Sequence, residues 1–422
     1  MSDKLKIPTL RFKDFSGEWE EKEYGEIYTF YSTNSLSRDK LNYDDGTVKN
    51  IHYGDIHTKF STMFNIKNEK VPFINSNIDL SKIKEENYCL EGDLVIADAS
   101  EDYADIGKTM EIINLNNEKI IAGLHTFLAR ADKYDIALGY GGYLLQSWKV
   151  RKQVMTIAQG TKVLSLSTTR LSKIELNLPQ KQEQEKIASF LSSIDKKIEQ
   201  LSKKDELLQS YKKGAMQKIF SQEIRFKADD GSNYSDWEEK KLGKISDVRD
   251  GTHDSPKYYD DGYPLITSKN LLKDGRIDFD NVSLILKEDY ININKRSKVD
   301  INDILFGMIG TIGNPVIVNK EGFAIKNVAL IKEQELLLNR FLIHYLKSFL
   351  IEKQFYEQNT GGTQKFIALG VIRDLNIKLP CLEEQTKIAN FLSSIDTKIS
   401  QNKKALEVTK KFKKALLQQM FV

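Results

Sequence analysis

Residues 179–200 read PQKQEQEKIASFLSSIDKKIEQ, and residues 380–401 read PCLEEQTKIANFLSSIDTKISQ. At a constant offset of 201, 15 of these 22 positions are identical, far more than unrelated segments share. A repeat of this kind is sought before any other feature because it fixes the architecture of the whole chain. The sequence is therefore predicted to contain two copies of one plan.

Each copy of the repeated element predicts a long helix. Segments 180–220 and 381–422 lack internal proline, and their apolar residues recur at alternating spacings of four and three, as in a coiled-coil seam. A helix of about 37 residues is ~55 Å long. Two apolar stripes predict antiparallel helices related by a pseudo-twofold axis, with a solitary long helix as the alternative. The seam residues are Ile187, Leu191, Ile194, Ile198 and Leu201, then Ile388, Leu392, Ile395 and Ile399.

The regions between the helices agree at their ends and diverge in their middles. Both open alike, with Trp19 and Trp237 each followed by Glu-Glu-Lys, and short β-like runs then alternate with turn residues. The predicted class is α+β: two similar recognition domains joined by two long antiparallel helices in a circular repeat. The predicted boundaries are an N-terminal segment 1–18 near the C-terminal helix, domain 1 at 19–179, a spacer helix at 180–221, domain 2 at 222–379 and a second spacer helix at 380–422.

Composition limits the class of protein. The 422 residues carry 63 Lys plus Arg against 60 Asp plus Glu, so a net charge of +3 neither predicts nor forbids a nucleic-acid partner. Two distant cysteines exclude a disulfide framework and favour a reducing compartment. Neither a signal peptide nor the ~20 apolar residues of a membrane helix is present. We expect a cytoplasmic protein with no membrane partner.

Enzymatic motifs are not found in the sequence. The seven prolines are never adjacent, which excludes the Asn/Asp-Pro-Pro-aromatic element of amino-methyltransferases. The run at 107–109 lacks the first glycine of a phosphate-binding loop, and the five histidines and two cysteines have no zinc spacing. The chain is therefore predicted to be non-catalytic, with no cofactor and no metal ion of its own.

The repeated element resembles a known family. The pattern Pro-x-x-x-Glu-Gln-x-Lys-Ile-Ala-x-Phe-Leu-Ser-Ser-Ile-Asp occurs twice, each time after a Gly-Thr segment (160–162 and 362–364), and is similar to that of type I restriction–modification specificity subunits. Segments 251–257 and 266–271 also resemble the opening of a common second recognition domain there. The resemblance implies a bipartite, asymmetric site in double-stranded DNA, two docked methyltransferase subunits and, in the full complex, restriction subunits. S-adenosylmethionine, ATP and Mg²⁺ then belong to those partners.

Candidate DNA contacts are polar side chains on loops between the matched landmarks. Lys can read guanine and Asn adenine, while Ser and Thr serve bases or phosphates, although a role in a turn or a phosphate contact is the commoner use of any one of them. The candidates are His52, Tyr53, His57, Thr58, Lys59, Ser100, Glu101 and Lys108 in the first domain, and Thr252, His253, Lys257, Thr267, Lys269 and Asn270 in the second.

One alternative belongs to another functional class. A coiled-coil scaffold that pairs two protein-binding domains without touching nucleic acid also explains divergent middles between matching ends. A steep salt dependence of DNA binding discriminates between the two hypotheses, because phosphate contacts release counterions.

Overall fold

The computed structural model describes residues 6–358 and 366–422. The second Gly-Thr segment, 362–364, lies outside the described residues. The chain divides into two compact units, one formed by Met1–Ser202 with Lys404–Val422 and the other by Lys203–Lys403. We call these unit 1 and unit 2. Both divisions fall inside the long helices, so they differ from the boundaries that the sequence suggested at the helix ends.

The two predicted long helices are present with nearly the expected ends. The first spans Lys181–Phe220 and the second Leu382–Gln419. The first ends where Gln222 takes a left-handed conformation (φ 64°), a common way to stop a helix. Each unit contains the N-terminal half of one helix and the C-terminal half of the other.

The globular part of unit 1 is built on two sheets. A five-stranded sheet has the order β2-β11-β7-β9-β5, and a four-stranded sheet has the order β10-β4-β6-β3. The strands are β1 (Glu20–Glu23), β2 (Thr29–Tyr31), β3 (Leu41–Asn42), β4 (Lys49–Ile51), β5 (Met63–Asn65), β6 (Phe73–Ile74), β7 (Leu94–Ala97), β8 (Ala99–Ser100), β9 (Thr109–Asn114), β10 (Ile120–Ala122), β11 (Thr126–Arg130), β12 (Leu164–Ser165) and β13 (Glu175–Leu178). The helices are α1 (Tyr24–Ile27), α2 (Tyr53–Thr58), α3 (Tyr140–Gln146), α4 (Trp148–Ile157), α5 (Thr168–Leu171) and the long α6 (Lys181–Phe220), with 3₁₀ turns at Arg38–Lys40 and Glu85–Asn87.

Unit 2 repeats this plan, with fewer strands among its described residues. Its larger sheet has the order β15-β21-β18-β19 and its smaller one β17-β16-β20. The strands are β14 (Glu238–Lys241), β15 (Val248–Asp250), β16 (Tyr263–Ile266), β17 (Ser283–Ile285), β18 (Ile304–Gly307), β19 (Gly313–Ile317), β20 (Ala324–Ile325), β21 (Val328–Ile331) and β22 (Asn376–Leu379). The helices are α7 (Leu242–Ile245), α8 (Lys287–Ser297), α9 (Asn339–Tyr345), α10 (Phe349–Gln358), α11 (Leu369–Arg373) and the long α12 (Leu382–Gln419), with a 3₁₀ turn at Ser268–Asn270.

The apolar stripes of the long helices are buried, and they contact the globular domains as well as the other long helix. In unit 1, Ile187 and Leu191 belong to the same core as Tyr140 of α3 and Phe421 at the chain's end. In unit 2, Ile388 and Leu392 share a core with Phe341 of α9 and Phe220. Each stripe therefore holds a globular domain and the end of the other long helix at once. Ile194, Leu201 and Ile395 are also buried, while Ile198 and Ile399 are partly buried.

The repeated Glu-Gln pair at the start of each long helix has a structural role. Glu183 is buried and receives two hydrogen bonds from Arg11 at 2.8 and 2.7 Å. Glu384 accepts two hydrogen bonds from Arg225, at 3.2 and 2.8 Å. These charged pairs attach the opening segment of each copy to its helix. In unit 1 this segment also reaches the C-terminal helix, where Leu10 N donates to Gln419 O at 2.9 Å.

The glutamine of the pair holds the loop that leads into the domain's own helix. Gln184 accepts from Ala137 N and donates to Pro179 O, at 3.0 and 2.9 Å. Gln385 likewise accepts from Leu338 N and donates to Pro380 O, both at 2.9 Å. A buried amide that is satisfied in this way fixes the path of the backbone on both sides.

A second pair of equivalent contacts joins the two long helices inside each unit. Lys413 lies 2.6 Å from Asp195, which also accepts from the hydroxyl of Tyr143 at 2.8 Å. In unit 2, Lys212 lies 2.5 Å from Asp396, and His344 occupies the place of Tyr143. All three positions are related by the offset of 201.

Candidate nucleic-acid interface

Both domains end a buried strand with a capped helical turn at the same place in the fold. Strand β4 leads into α2, and β16 leads into the turn at Ser268–Asn270. Each of these strands has a parallel neighbour, β10 or β20. His52 caps the first turn by accepting from Gly54 N at 3.2 Å, and Thr267 caps the second. The candidates from the sequence therefore gather at equivalent edges of the two domains.

The first polar edge is formed by aromatic and imidazole rings, and we define it by His52, Tyr53, His57, Asp98 and His125. The ring of Tyr53 lies 4.8 Å from His52, 6.0 Å from His57 and 5.3 Å from His125, measured between centroids. The ring Nε2 of His57 is 2.9 Å from Ala99 O. The ring Nδ1 of His125 is 3.2 Å from Asp98 Oδ1. Burial, and the nearby Arg38 guanidinium, lower the pKa of His52, so this ring is neutral at pH 7.

A buried carboxylate organises the cations beside this edge. Asp55 is fully buried and binds Arg38 at 2.6 Å and Lys59 at 2.9 Å. Burial opposes ionisation of Asp55, but the hydrogen bonds from these two cations lower its pKa below the ordinary value. Lys59 also donates to the hydroxyl of Tyr43 at 3.1 Å. The two cations are thus held in place and partly neutralised before any ligand binds.

The second polar edge is centred on a histidine between two acceptors, and we define it by Asp250, Thr252, His253, Lys269 and Asn327. The Nε2 atom of His253 lies 2.8 Å from Asp250 Oδ2, and its Nδ1 atom lies 2.9 Å from Asn327 Oδ1. The hydrogen bonds to Asn327 and then to Asp250 raise the pKa of His253, since a protonated ring donates to both. Arg296 also pairs with Asp250. Asp250 is buried, whereas Arg296 and Lys269 are exposed, so the cations of this edge face solvent.

Comparison with known proteins gives this arrangement a family. Residues 16–209 and 234–410 match the model of the type I restriction modification DNA specificity domain, once for each copy of the plan. The chain belongs to that family. This confirms the resemblance seen in the repeated helix element.

One relative of this specificity chain spans nearly all of it, and another spans about two thirds. A protein of Methanocaldococcus jannaschii, named as the specificity subunit of the type I restriction enzyme MjaX, is 28% identical over 417 residues, which cover 95% of this chain and 92% of that one. The MjaVIII specificity subunit of the same organism is 29% identical over 290 residues, or 65% of this chain and 68% of its own length. The crystal structure of an S subunit from M. genitalium has the same fold, with a TM-score of 0.62, 15% identity and 99% coverage of both chains.

In this specificity chain, several predicted DNA contacts are already used inside the domains. Asn270 is buried, accepts from Thr267 N and Oγ1 at 2.9 Å, and donates to Asn281 O at 2.9 Å. Ser100 is also buried and accepts from Asp102 N at 3.0 Å. These side chains shape the loops. Thr58 and Lys108 are bonded to the carbonyls of Gly54 and His57, at 2.7 and 2.8 Å, and Thr252 accepts from Asp254 N at 3.1 Å.

Other predicted contacts keep their polar groups available. Lys257, Lys269 and Glu101 are exposed and make no hydrogen bond or ion pair within 6–358 and 366–422. The rings of Tyr53 and His57 are partly exposed, and that of His253 is exposed. Contact with DNA stays a prediction for every one of these residues.

Sequence reasoning missed the residues that bring each edge together. Asp250 lies only three residues before His253, but Arg38 and His125 in the first domain, and Arg296 and Asn327 in the second, lie far along the chain from the residues that they contact. No motif marks them, because strand pairing places them there. Within the described part of the chain, no group of three or more His, Cys, Asp or Glu side chains is arranged to hold a metal ion. No helix among those residues is both long and apolar enough to cross a membrane.

Proposed function

We propose that each unit of this type I specificity chain binds one half of a bipartite, asymmetric DNA site. The observation that carries the proposal is that the two domains share one backbone arrangement but have different polar edges. Equivalent strands end in capped turns in both domains, yet one edge presents histidine rings around Tyr53 and the other presents His253 between Asp250 and Asn327. Because a DNA sequence is read by side chains that contact base edges, two different polar edges suit two different short sequences.

The chain itself does no chemistry in this proposal. Methyl transfer from S-adenosylmethionine, and ATP- and Mg²⁺-dependent restriction, reside in partner subunits in the cytoplasm. The lack of adjacent prolines, which a methyltransferase motif requires, supports this division of labour.

Two copies of a methyltransferase subunit are the partners proposed for the long helices. Leu207 and Tyr211 of α6 are 59% and 57% exposed, and the positions 201 residues later, Val408 and Phe412, are 57% and 51% exposed. Residues four apart lie on one face of a helix, so each pair forms a small apolar patch. Patches that occur twice at the repeat offset favour the same partner bound twice.

Charge reversal of these patches tests the docking. We expect Val408→Lys to leave one partner bound and the double variant Leu207→Lys/Val408→Lys to leave none, as counted by native mass spectrometry of the complex. Leu286→Lys, at an exposed apolar position of a recognition domain, is the matched control and should leave two. Two partners on the double variant would place the docking surface elsewhere.

Mapping of methylated bases tests the function itself. DNA modified by this chain with its methyltransferase partner should carry one motif of two short sequences separated by a gap. Exchange of residues 237–379 for another recognition domain should change one of the two sequences and leave the other unchanged. A change in both or in neither would refute the assignment of one half-site to each unit.

The salt dependence of binding separates this function from the protein scaffold. Phosphate contacts make the binding constant fall steeply as salt rises, by about 10³–10⁵ between 50 and 200 mM for a protein with 6–10 contacts. We expect a slope of this kind from the assembled complex. A flat salt response, with no retained duplex, would favour the scaffold.

A further inference from the structure

The residue that precedes one inner strand of the larger sheet is structurally equivalent in the two domains. Thr126 starts β11 opposite Ala97, the last residue of β7, and Val328 starts β21 opposite Gly307, the last residue of β18. His125 therefore occupies the same place in unit 1 as Asn327 in unit 2. The surrounding sequences, Leu124-His125-Thr126 and Lys326-Asn327-Val328, share no identical residue.

Both residues have the same unusual backbone conformation. The φ angle is 55° at His125 and 54° at Asn327, in the left-handed region that residues with a Cβ rarely adopt. Glycine takes this conformation at no steric cost, so the bend alone does not require a histidine or an asparagine. The side chains themselves are therefore the feature to explain.

Each of these side chains is held on one side and open on the other. His125 bonds Asp98 through Nδ1, its side chain is 51% exposed, and its Nε2 has no partner within the described ranges. Asn327 bonds His253 through Oδ1, and its amide nitrogen makes no hydrogen bond to any described residue. A carbonyl oxygen has two lone pairs, so Asn327 can still both donate and accept.

The turns beside them belong to the candidate interface. The ring of His125 lies 5.3 Å from that of Tyr53, at the capped start of α2. The carbonyl of Asn327 accepts from Ser268 Oγ at 3.0 Å, at the capped start of the matching turn. Each residue is thus at the centre of its polar edge and is oriented by a neighbour whose own position is fixed.

We propose that His125 and Asn327 are matched specificity-determining residues, each of which hydrogen-bonds one base in the half-site of its own unit. Asn327 has the donor and acceptor that pair with N7 and the N6 amino group of adenine in the major groove. His125 offers a single imidazole nitrogen, so it makes one hydrogen bond and discriminates less strongly. The inference rests on the proposed function and names the contacts within it.

Glycine substitutions test this without disturbing the fold. His125→Gly and Asn327→Gly remove the side chain and place at each position a residue that adopts the left-handed backbone freely, so both variants are expected to fold. Asn116→Gly and Asn302→Gly are the matched controls. Both asparagines have positive φ (49° and 72°) but lie at the opposite ends of the sheets, after β9 and before β18.

The measurement is the methylated motif that each variant complex leaves in a library of randomised duplexes. Asn327→Gly should relax the requirement for one adenine by about tenfold to a hundredfold, in one half-site only. His125→Gly should relax one position of the other half by at least severalfold, and both controls should keep the wild-type motif.

Two failures are distinguishable. If the wild-type complex gives a bipartite motif and both glycine variants keep it within twofold at every position, the matched-residue proposal is wrong and the proposed function stands. If the wild-type complex gives no bipartite motif, the proposed function fails, and this inference with it.

Discussion

In unit 1, Tyr143 donates to Asp195 on the long helix, whereas in unit 2 the equivalent position holds His344 beside Asp396. Around this difference the two units are alike, since a lysine of the other long helix binds each aspartate. The polar edges differ far more, with histidine rings around Tyr53 in one domain and His253 between Asp250 and Asn327 in the other. The lysine–aspartate contacts between the long helices therefore recur in the two units, whereas the side chains of the polar edges do not.

The largest effect is expected from removing the carboxylate that anchors each opening segment. Glu384→Ala leaves Arg225 and Trp237 without their shared acceptor, and breaking a largely buried ion pair costs about 3–5 kcal/mol. Glu183→Ala should destabilise unit 1 by a similar amount, because Arg11 loses the same partner. Hydrogen exchange resolved along the chain measures each unit separately.

The control for this comparison is Glu239→Ala, on the exposed face of β14, which should change stability by less than about 0.5 kcal/mol. If Glu384→Ala weakened both units equally, the anchor would not be local to its own unit.

Acid should weaken unit 2 through His344. Burial, and then the neighbouring Lys212, lower the pKa of His344 from an ordinary 6.5 to about 4. The charge of Asp396 raises this pKa, and that of Lys347 lowers it further. The hydroxyl oxygen of Ser393 lies 3.2 Å from Nε2 of His344. Between these pH values the unfolded chain binds a proton that the folded unit excludes. Stability should therefore fall as pH drops from 6.5 to 4, by about 3 kcal/mol.

His344→Tyr imports the residue of unit 1 and is the matched variant for this prediction. It should remove most of the acid sensitivity of unit 2 in urea unfolding followed between pH 7 and pH 4. An unchanged pH slope in this variant would assign the sensitivity to another group.

Unit 1 should respond in the opposite direction because of Glu111. Burial raises the pKa of this carboxyl to about 7 from 4.5, against hydrogen bonds from Gly142 N and Gly139 N at the start of α3. Here the folded unit holds a proton that the unfolded chain loses, so stability should fall by up to about 3 kcal/mol as pH rises from 4.5 to 7.

The replacement Glu111→Gln keeps the shape of the side chain and removes its titration. The loss of stability of unit 1 between pH 4.5 and pH 7 should then become much smaller, as followed by exchange of the α3 amides. A wild-type unit 1 that gains stability from pH 4.5 to pH 7 would contradict the assignment.

Features set by local patterns were predictable from the sequence, and those set by strand pairing were not. The seam at Ile187 and Leu191 follows from residue spacing alone, so both long helices were predicted to within a few residues of their ends. His125 and Asn327 become equivalent only when β11 and β21 pair with their neighbours, and no identity in sequence records this. Asn270 resembles a loop donor in sequence, yet the capping of its own turn buries it.

The smallest effect should come from a tryptophan that the two copies share in sequence but use differently. The indole nitrogen of Trp237 donates to Glu384 Oε2 at 2.9 Å, whereas that of Trp19 is buried with no hydrogen-bond partner in the described part of the chain. A hydrogen bond to a charged group contributes about 1.5–3 kcal/mol, and an unsatisfied buried donor is itself destabilising.

Trp237→Phe should therefore cost more than the loss of ring size explains. Trp19→Phe loses the same ring atoms but also removes the unsatisfied donor, so the two effects oppose each other and the net change should be close to zero. Urea unfolding of the two single variants, resolved by unit, measures the difference directly. Equal losses in both units would mean that packing of the indole, and not its nitrogen, decides stability at this position.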